Sequence, residues 1–294
     1  MTAEHAEAPA GESRAGAPPL WESAYAVPAA RTGEAVGAPH SPGYGVRATA
    51  RLTAVPDGRG GTRLPLRSGE GPLALRRTRA HGSWARVTLV GAMSAPLNGD
   101  QLSIVARVED GARLRMDGSA ATIALPGRGG DSASYETDLT VGEGAEAHWL
   151  PEPVISAAGS DLRQSVRVRI ARTARLVLRD EQVLGRTGEA PGRLRTRLTV
   201  HREGRPLLDQ ELAYGEGAPG WDGPAVLAGR RAVGQLLIVD PEFEKDGPPA
   251  ARVLEGGTAA VTPLAGPAVL VTAVAEDALR VRTVLDRFLG ASAP

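Results

Sequence analysis

Residues 165–184 read SVRVRIARTARLVLRDEQVL, and the alternation within them decides the fold. Val166, Val168 and Ile170 are separated by Arg167 and Arg169, the period of two expected of a strand with one buried face. A short break at Thr173-Ala174 follows, and Leu176, Val177 and Leu178 open a second run. The same form, a run that enters a tight break ending in Ala and leaves as another run, occurs twice upstream. It is seen in SIVARVEDGARLRM (103–116) around Gly111-Ala112 and in TDLTVGEGAEAHWL (137–150) around Gly144-Ala145. The three alanines are spaced 33 and 29 residues apart. Each unit reads as one hairpin, and hairpins stacked at near-constant period make a β-solenoid or an extended stack of sheets. The competing explanation is that segments rich in Ala, Gly and Arg resemble one another by composition.

Further strand-like runs flank the repeat: VRATARLTAV (46–55), WARVTLVGA (84–92), QLSIVARV (101–108), LRTRLTV (194–200) and QLLIVD (235–240). Breaks containing Gly and Pro separate them. The fold class expected is mainly β, with many short strands, pairing antiparallel, in a β-helical or stacked-hairpin architecture with few helices. One helix is clear, at the C-terminus: in EDALRVRTVLDRFLG (276–290), Ala278, Val281, Leu285 and Phe288 fall at helical spacing and Gly290 closes the run. A second, interrupted by Gly and Pro, is suggested near 220–232. Residues 1–42, rich in Ala, Gly, Pro and Glu, cannot bury enough apolar surface to offset their ordering entropy and read as a disordered tail. Residues 43–294 read as a single β-rich domain.

Composition narrows the function classes. The 34 basic and 34 acidic residues cancel, so no global field draws the chain toward nucleic acid or anionic lipid. Cysteine is absent, which removes disulfides, thiolate metal sites and a Cys nucleophile and suits a reducing cytoplasm. The N-terminal segment carries acids and prolines where a signal peptide needs a basic start and an apolar run of about 7 to 15 residues. The apolar run AVLVTAVA (268–275) falls well short of the roughly 20 residues that span a bilayer. A cytoplasmic protein is expected.

Motifs for catalysis are missing. The five histidines form no HxH or HExxH pair, and GxSxG does not occur. GRGGTRLPL (58–66) and LPGRGGDSAS (125–134) lack the Walker lysine and read as flexible loops. The arginines alternating through 165–180 and 192–202 read as a solvated outer strand face, because no aromatic residues interleave with them as a stacking platform would require. What remains are acid-and-glycine clusters: LNGDQL (97–102), HWLPEPVI (148–155) and VLRDEQVLGRTGE (177–189).

Taken in order, these clusters resemble the urease accessory protein D family (UreD, also called UreH). The resemblance runs from about Ala85 to Leu212 and more loosely to the terminal helix. It is carried by Gly99-Asp100 in APLNGDQL, by DGARLRMDGSAATIALPG (110–127), by WLPEP (149–153), by VLGRTGE (183–189) with Arg186 and Glu189, and by HREGRPLLDQEL (201–212). It implies a β-helical fold with a few helices and no catalysis by this chain. It also implies a scaffold that binds apo-urease and UreF, recruits the GTPase UreG through UreF, and helps convey nickel to the urease active site. No tightly bound cofactor is expected, only nickel in transit, and a moving divalent ion is better served by scattered carboxylates than by a closed His/Cys cage. The candidates for that route, or for partner surfaces beside it, are Asp100, Glu152, Glu181 and Glu189, with Arg186 orienting a carboxylate through a bidentate pair. The alternative for each is a structural carboxylate that satisfies loop amides or a buried ion pair. The terminal helix and the loops at hairpin ends are the candidates for docking UreF. Two other readings compete: a β-solenoid carbohydrate-active enzyme using Asp100 with Glu152 or Glu189, and an Arg-faced nucleic-acid-binding module.

Overall fold

A computed structural model describes residues 45–128 and 130–289; the expected tail, 1–42, lies outside the described residues. Two sheets face each other. The first has seven strands, β1 (Arg47–Pro56), β2 (Thr62–Ser68), β5 (Gln101–Val108), β8 (Ala133–Val141), β11 (Asp161–Ile170), β13 (Arg193–Arg202) and β14 (Arg205–Tyr214), in the order β14-β13-β11-β8-β5-β1-β2. The second is built on β3 (Leu73–Thr78), β4 (Ala85–Gly91), β6 (Arg113–Gly118), β9 (Glu146–Leu150), β12 (Arg175–Leu184), β15 (Ala232–Val239), β16 (Arg252–Leu254), β17 (Ala259–Pro263) and β18 (Ala268–Ala275). Its order is β16-β17-β18-β15-β12-β9-β6-β4-β3, and two short strands, β7 (Thr122–Ala124) and β10 (Val154–Ser156), join it beside β12.

The chain coils between these layers. β5, β8 and β11 lie in the first sheet, and the strands that follow them, β6, β9 and β12, lie in the second. Each repeat unit is therefore an arch rather than a hairpin, and the expected antiparallel pairing is replaced by parallel pairing between successive coils. The reason is burial. Leu102, Ile104 and Val108 on one arm and Leu114 and Met116 on the other are all buried, which requires the arms to face each other across a core instead of lying in one plane. Ala112, Ala145 and Ala174 are at most 1% exposed, so the arches turn where only a methyl group fits. The turns also stack: Gly111 N–H donates to Glu143 O at 2.8 Å, and Ala171 N–H to Val141 O at 2.9 Å. Coil length follows the repeat, since Gln101 sits beside Ser134 and Ala133 beside Leu162.

Antiparallel pairs close the stack at both ends. β2 pairs with β1, β3 with β4, β14 with β13, and β15 with β12. The β13–β14 hairpin turns through Glu203 and Gly204, both at positive φ (51° and 75°). Residues 221–231 run as turns without forming the suggested second helix; a one-turn helix, α1 (Phe243–Asp246), follows β15 instead.

The C-terminal helix, α2 (Ala278–Leu289), covers the outer face of the second sheet. Val281 and Leu285 are buried and cluster with Leu236, Val271 and Ala273. This cover is why every residue of β15 is buried, whereas strands of the first sheet alternate between core and solvent. The approach is close at Gly234, where an added Cβ would lie 2.3 Å from Val281 Cγ1 and 2.9 Å from Leu285 Cδ1. Gly234→Ala is expected to push α2 outward and destabilise the fold by about 1–3 kcal/mol. Thermal unfolding checks this, and an unchanged melting temperature would remove the close approach as a constraint.

Candidate functional site

Strand β12 carries four polar residues in succession, Arg179-Asp180-Glu181-Gln182, and all four are buried. Because neighbours in a strand point to opposite faces, the run serves both sides of the sheet. Asp180 points inward to the space between the sheets, where Gln164 Nε2 of β11 donates to it at 3.0 Å. Arg179 and Glu181 point outward beneath α2 and meet Asp286 and Arg282 of that helix.

The outward group is a fork-and-clamp arrangement. Arg282 Nε lies 2.9 Å from both oxygens of Glu181. Its Nη1 and Nη2 reach the two oxygens of Glu152 at 3.3 and 3.2 Å. Arg179 Nη1 donates to Asp286 Oδ1 at 3.1 Å, and its Nε lies 3.2 Å from Glu181 Oε2. Burial opposes the charge on Arg282, but its bonds to Glu181 and Glu152 outweigh that cost and raise its pKa. For Arg179 burial prevails and lowers the pKa despite the neighbouring Glu181.

Inside, between the sheets, lies a cavity of about 340 Å³. Its walls are largely apolar, with Ile104, Met116, Trp149 and Leu178, and its polar end is formed by Thr137, Gln164 and Asp180. Burial pushes the Asp180 carboxyl up to about 6, with bonds from Gln182 and Gln164 pulling the other way. The amide oxygens of Gln164 and Gln182 are buried and, among the described residues, have no hydrogen-bond partner. The polar line continues at Gln235, which faces Asp180 across the β12–β15 ladder and donates to Gln210 Oε1 at 2.6 Å. A small patch of oxygen acceptors thus sits in an otherwise apolar core, where unmet polar groups are costly.

The sequence-derived candidates fall in three places. Glu152 and Glu181 come together on Arg282, one held by the Pro151-Glu152-Pro153 segment and the other by β12. Asp100 is 2% exposed, and its two oxygens accept from the backbone N–H groups of Val46 (2.7 Å) and Leu97 (2.8 Å), tying the start of β1 to the loop before β5. Glu189 accepts from Arg186 Nε at 2.8 Å and Nη2 at 2.9 Å, from the Arg186 backbone at 2.8 Å and from Ala158 N–H at 3.3 Å. The Arg186 side chain is the main reason that its carboxyl is held down to about 2. Neither Asp100 nor Glu189 shares a hydrogen-bond partner with the Arg282 group.

Sequence reasoning missed Asp180, Gln164, Arg179 and Arg282. The sequence shows polar residues at both parities within β12, which otherwise reads as a buried strand, but not which of them faces the core, and Gln164 on the alternating strand β11 carries no mark. Arg282 left no such mark, because a single Arg on the flank of an amphipathic helix reads as solvated. Among the described residues no cluster of three His, Asp or Glu side chains could hold a metal ion, and no helix is long and apolar enough to cross a membrane.

Comparison with known proteins adds a family. Residues 46–294 match the family model for the UreD urease accessory protein. The chain is 68% identical over 245 residues to urease accessory protein UreD 3 of Streptomyces griseus subsp. griseus, covering 82% of this chain and 95% of that one. It is 62% identical over 243 residues to UreD of Streptomyces coelicolor, with coverages of 82% and 95%. It is 54% identical over 253 residues to UreD 2 of Saccharopolyspora erythraea, with coverages of 85% and 89%.

The buried carboxyl makes a pH-dependent prediction. With a folded pKa raised to about 6 from the ordinary 3.8 of an aspartate, Asp180 binds its proton more tightly in the folded state. Stability therefore falls as pH rises through that window and levels off above it. Asp180→Asn removes the ionisation, so the variant should match the unaltered chain near pH 4 and exceed it at pH 7 by on the order of 2–3 kcal/mol. Urea unfolding at several pH values tests this, and a pH-independent difference would show that Asp180 is not strained by burial.

Proposed function

Because this chain belongs to the UreD family of urease accessory proteins, we propose that it is a non-catalytic maturation scaffold acting in the cytoplasm. In this reading it binds apo-urease and UreF, recruits the GTPase UreG through UreF, and helps convey nickel to the urease active site. The observation that carries the reading is the pair of oxygen acceptors at the polar end of the inter-sheet cavity, the Asp180 carboxylate and the unpartnered amide oxygen of Gln164, with the buried, unpartnered amide oxygen of Gln182 two residues further along β12. Oxygen donors of low number bind a divalent cation weakly enough to release it, which suits transit rather than storage. Near neutral pH Asp180 carries the negative charge that draws a cation inward, and below about 6 it loses that charge.

Glu152 stands at the wall of this cavity, Glu181 is joined to it through Arg282 on the outer side of β12, and we assign both to the route. Asp100 and Glu189 hold loop backbones, and we assign those loops, with α2, to partner surfaces. The same geometry favours the scaffold over the carbohydrate-active reading. Both oxygens of Asp100 are occupied by backbone amides, and those of Glu152 and Glu189 by arginine forks, so no member of that suggested acid pair is poised to exchange a proton.

Cells lacking this protein should make urease protein with little bound nickel and little activity, as measured by metal analysis of the purified enzyme; normal nickel content would sink the proposal. Asp180→Asn should lower nickel loading while the scaffold remains folded and still co-purifies with UreF. Glu189→Ala should leave soluble expression roughly intact and reduce urease activation. If it abolishes soluble expression instead, Glu189 serves only to hold its turn.

A further inference from the structure

We propose that the wall of the cavity contains a second entrance, a window in the eleven-stranded sheet that Glu152 closes and Arg282 of α2 latches. This rests on reading the cavity as a passage and adds how it is opened. Two ladders stop at the same level. β6 ends at Gly118 and β7 begins at Thr122; β9 ends at Leu150 and β10 begins at Val154. β12 runs past both gaps, pairing with β9 as far as Leu178 and with β10 from Gln182, so Arg179, Asp180 and Glu181 have no strand beside them on that side. The segment crossing the gap is Pro151-Glu152-Pro153, and its two prolines have no N–H with which to close the ladder.

Space is present on both sides of this gap. Outside it, under the edge of α2, is a hollow of about 330 Å³ walled by Arg86, Arg115, Asp117, Arg282 and Asp286. Inside it is the cavity of about 340 Å³. The two hollows share three lining residues, Gly118, Glu152 and Arg179, which form the partition between them. Gly118 leaves no bulk in the frame: a Cβ there would lie 3.0 Å from the Glu152 backbone nitrogen and 3.2 Å from its Cγ. Arg179 is fixed to β12 and paired with Asp286.

Glu152 is the movable part. Its side chain is 31% exposed and its hydrogen bonds run to Arg282, with Arg179 at 3.9 Å. Arg282 is held in turn from the buried side by Glu181, whose side chain is 2% exposed. The latch is therefore asymmetric: Arg282 stays with Glu181, and releasing Glu152 opens the partition. A cation in the outer hollow would draw the Glu152 carboxylate off Arg282, and a carboxylate from a docked partner would compete for Arg282; either opens the window.

The absence of cysteine from the chain makes the test clean. Thr137, which lines the cavity, is replaced by Cys in the full chain, and its labelling by a small cationic methanethiosulfonate is timed. Because the cavity also reaches the exposed residues Met93 and Ile123, Ala121→Trp is included throughout to obstruct that side. Arg282→Met is expected to speed labelling by about tenfold or more, as loss of charge-assisted bonds implies. Val271→Cys, buried in the cluster beneath α2, should stay protected in the same background. An unchanged rate at Thr137→Cys overturns the window, and so does acceleration at both cysteines, since that reports a detached helix rather than an opened partition. Normal nickel in urease from the deletion strain would instead overturn the maturation reading without altering either labelling result.

Discussion

Parallel, in-register stacking of successive coils is the constraint on which the rest of this molecule depends. Each arch places one arm in each sheet, and each arm bonds to the corresponding arm of the coils on either side. Register in one sheet therefore fixes register in the other, because a one-residue slip would turn the buried side chains of an arm out into water. Ala112, Ala145 and Ala174 at the turns are part of the same constraint, since a larger side chain there would hold the arches apart. The antiparallel strands at the two ends act as caps on the parallel coils.

Against that regular frame β12 stands out. A strand buried on both faces would normally be apolar throughout, as β15 is apart from Gly234 and Gln235. Instead its centre carries two charges to α2 and a carboxyl with amides into the core. Removing one partner from such a buried ion group costs roughly 3–5 kcal/mol, while an apolar replacement of the whole group is often neutral or stabilising. Stability alone does not account for the run. Function does, if the interior has to pass a cation and the outer pairs have to control access to it.

Much of the fold was legible because it rests on local pattern. The alternation through residues 165–170 and the 33- and 29-residue spacing of the arches both survive in the structure, as coil offsets between neighbouring strands. The helical spacing of Val281 and Leu285 placed α2 and its buried side. The sense of pairing was not legible, because an arch and a hairpin have the same pattern of apolar residues. They differ only in whether the two arms bond to each other or to the coils above and below. The site was half legible. Glu152 and Glu181 were marked by their clusters, whereas Asp180 was hidden by a neighbour of the same type that points the other way.

The sequence by itself determined the class of fold, the period of its coils, the terminal helix and, through its motifs, the family. These follow from side-chain periodicity and turn chemistry, which act over a few residues. Only the tertiary structure decided that Glu152 and Glu181, 29 positions apart, share one guanidinium supplied by Arg282, and that the ladder opens beside them. Contacts of that kind depend on which coil lies against which and on where a helix more than a hundred residues downstream comes to rest. Burial of the whole core settles those positions, and no local pattern records them.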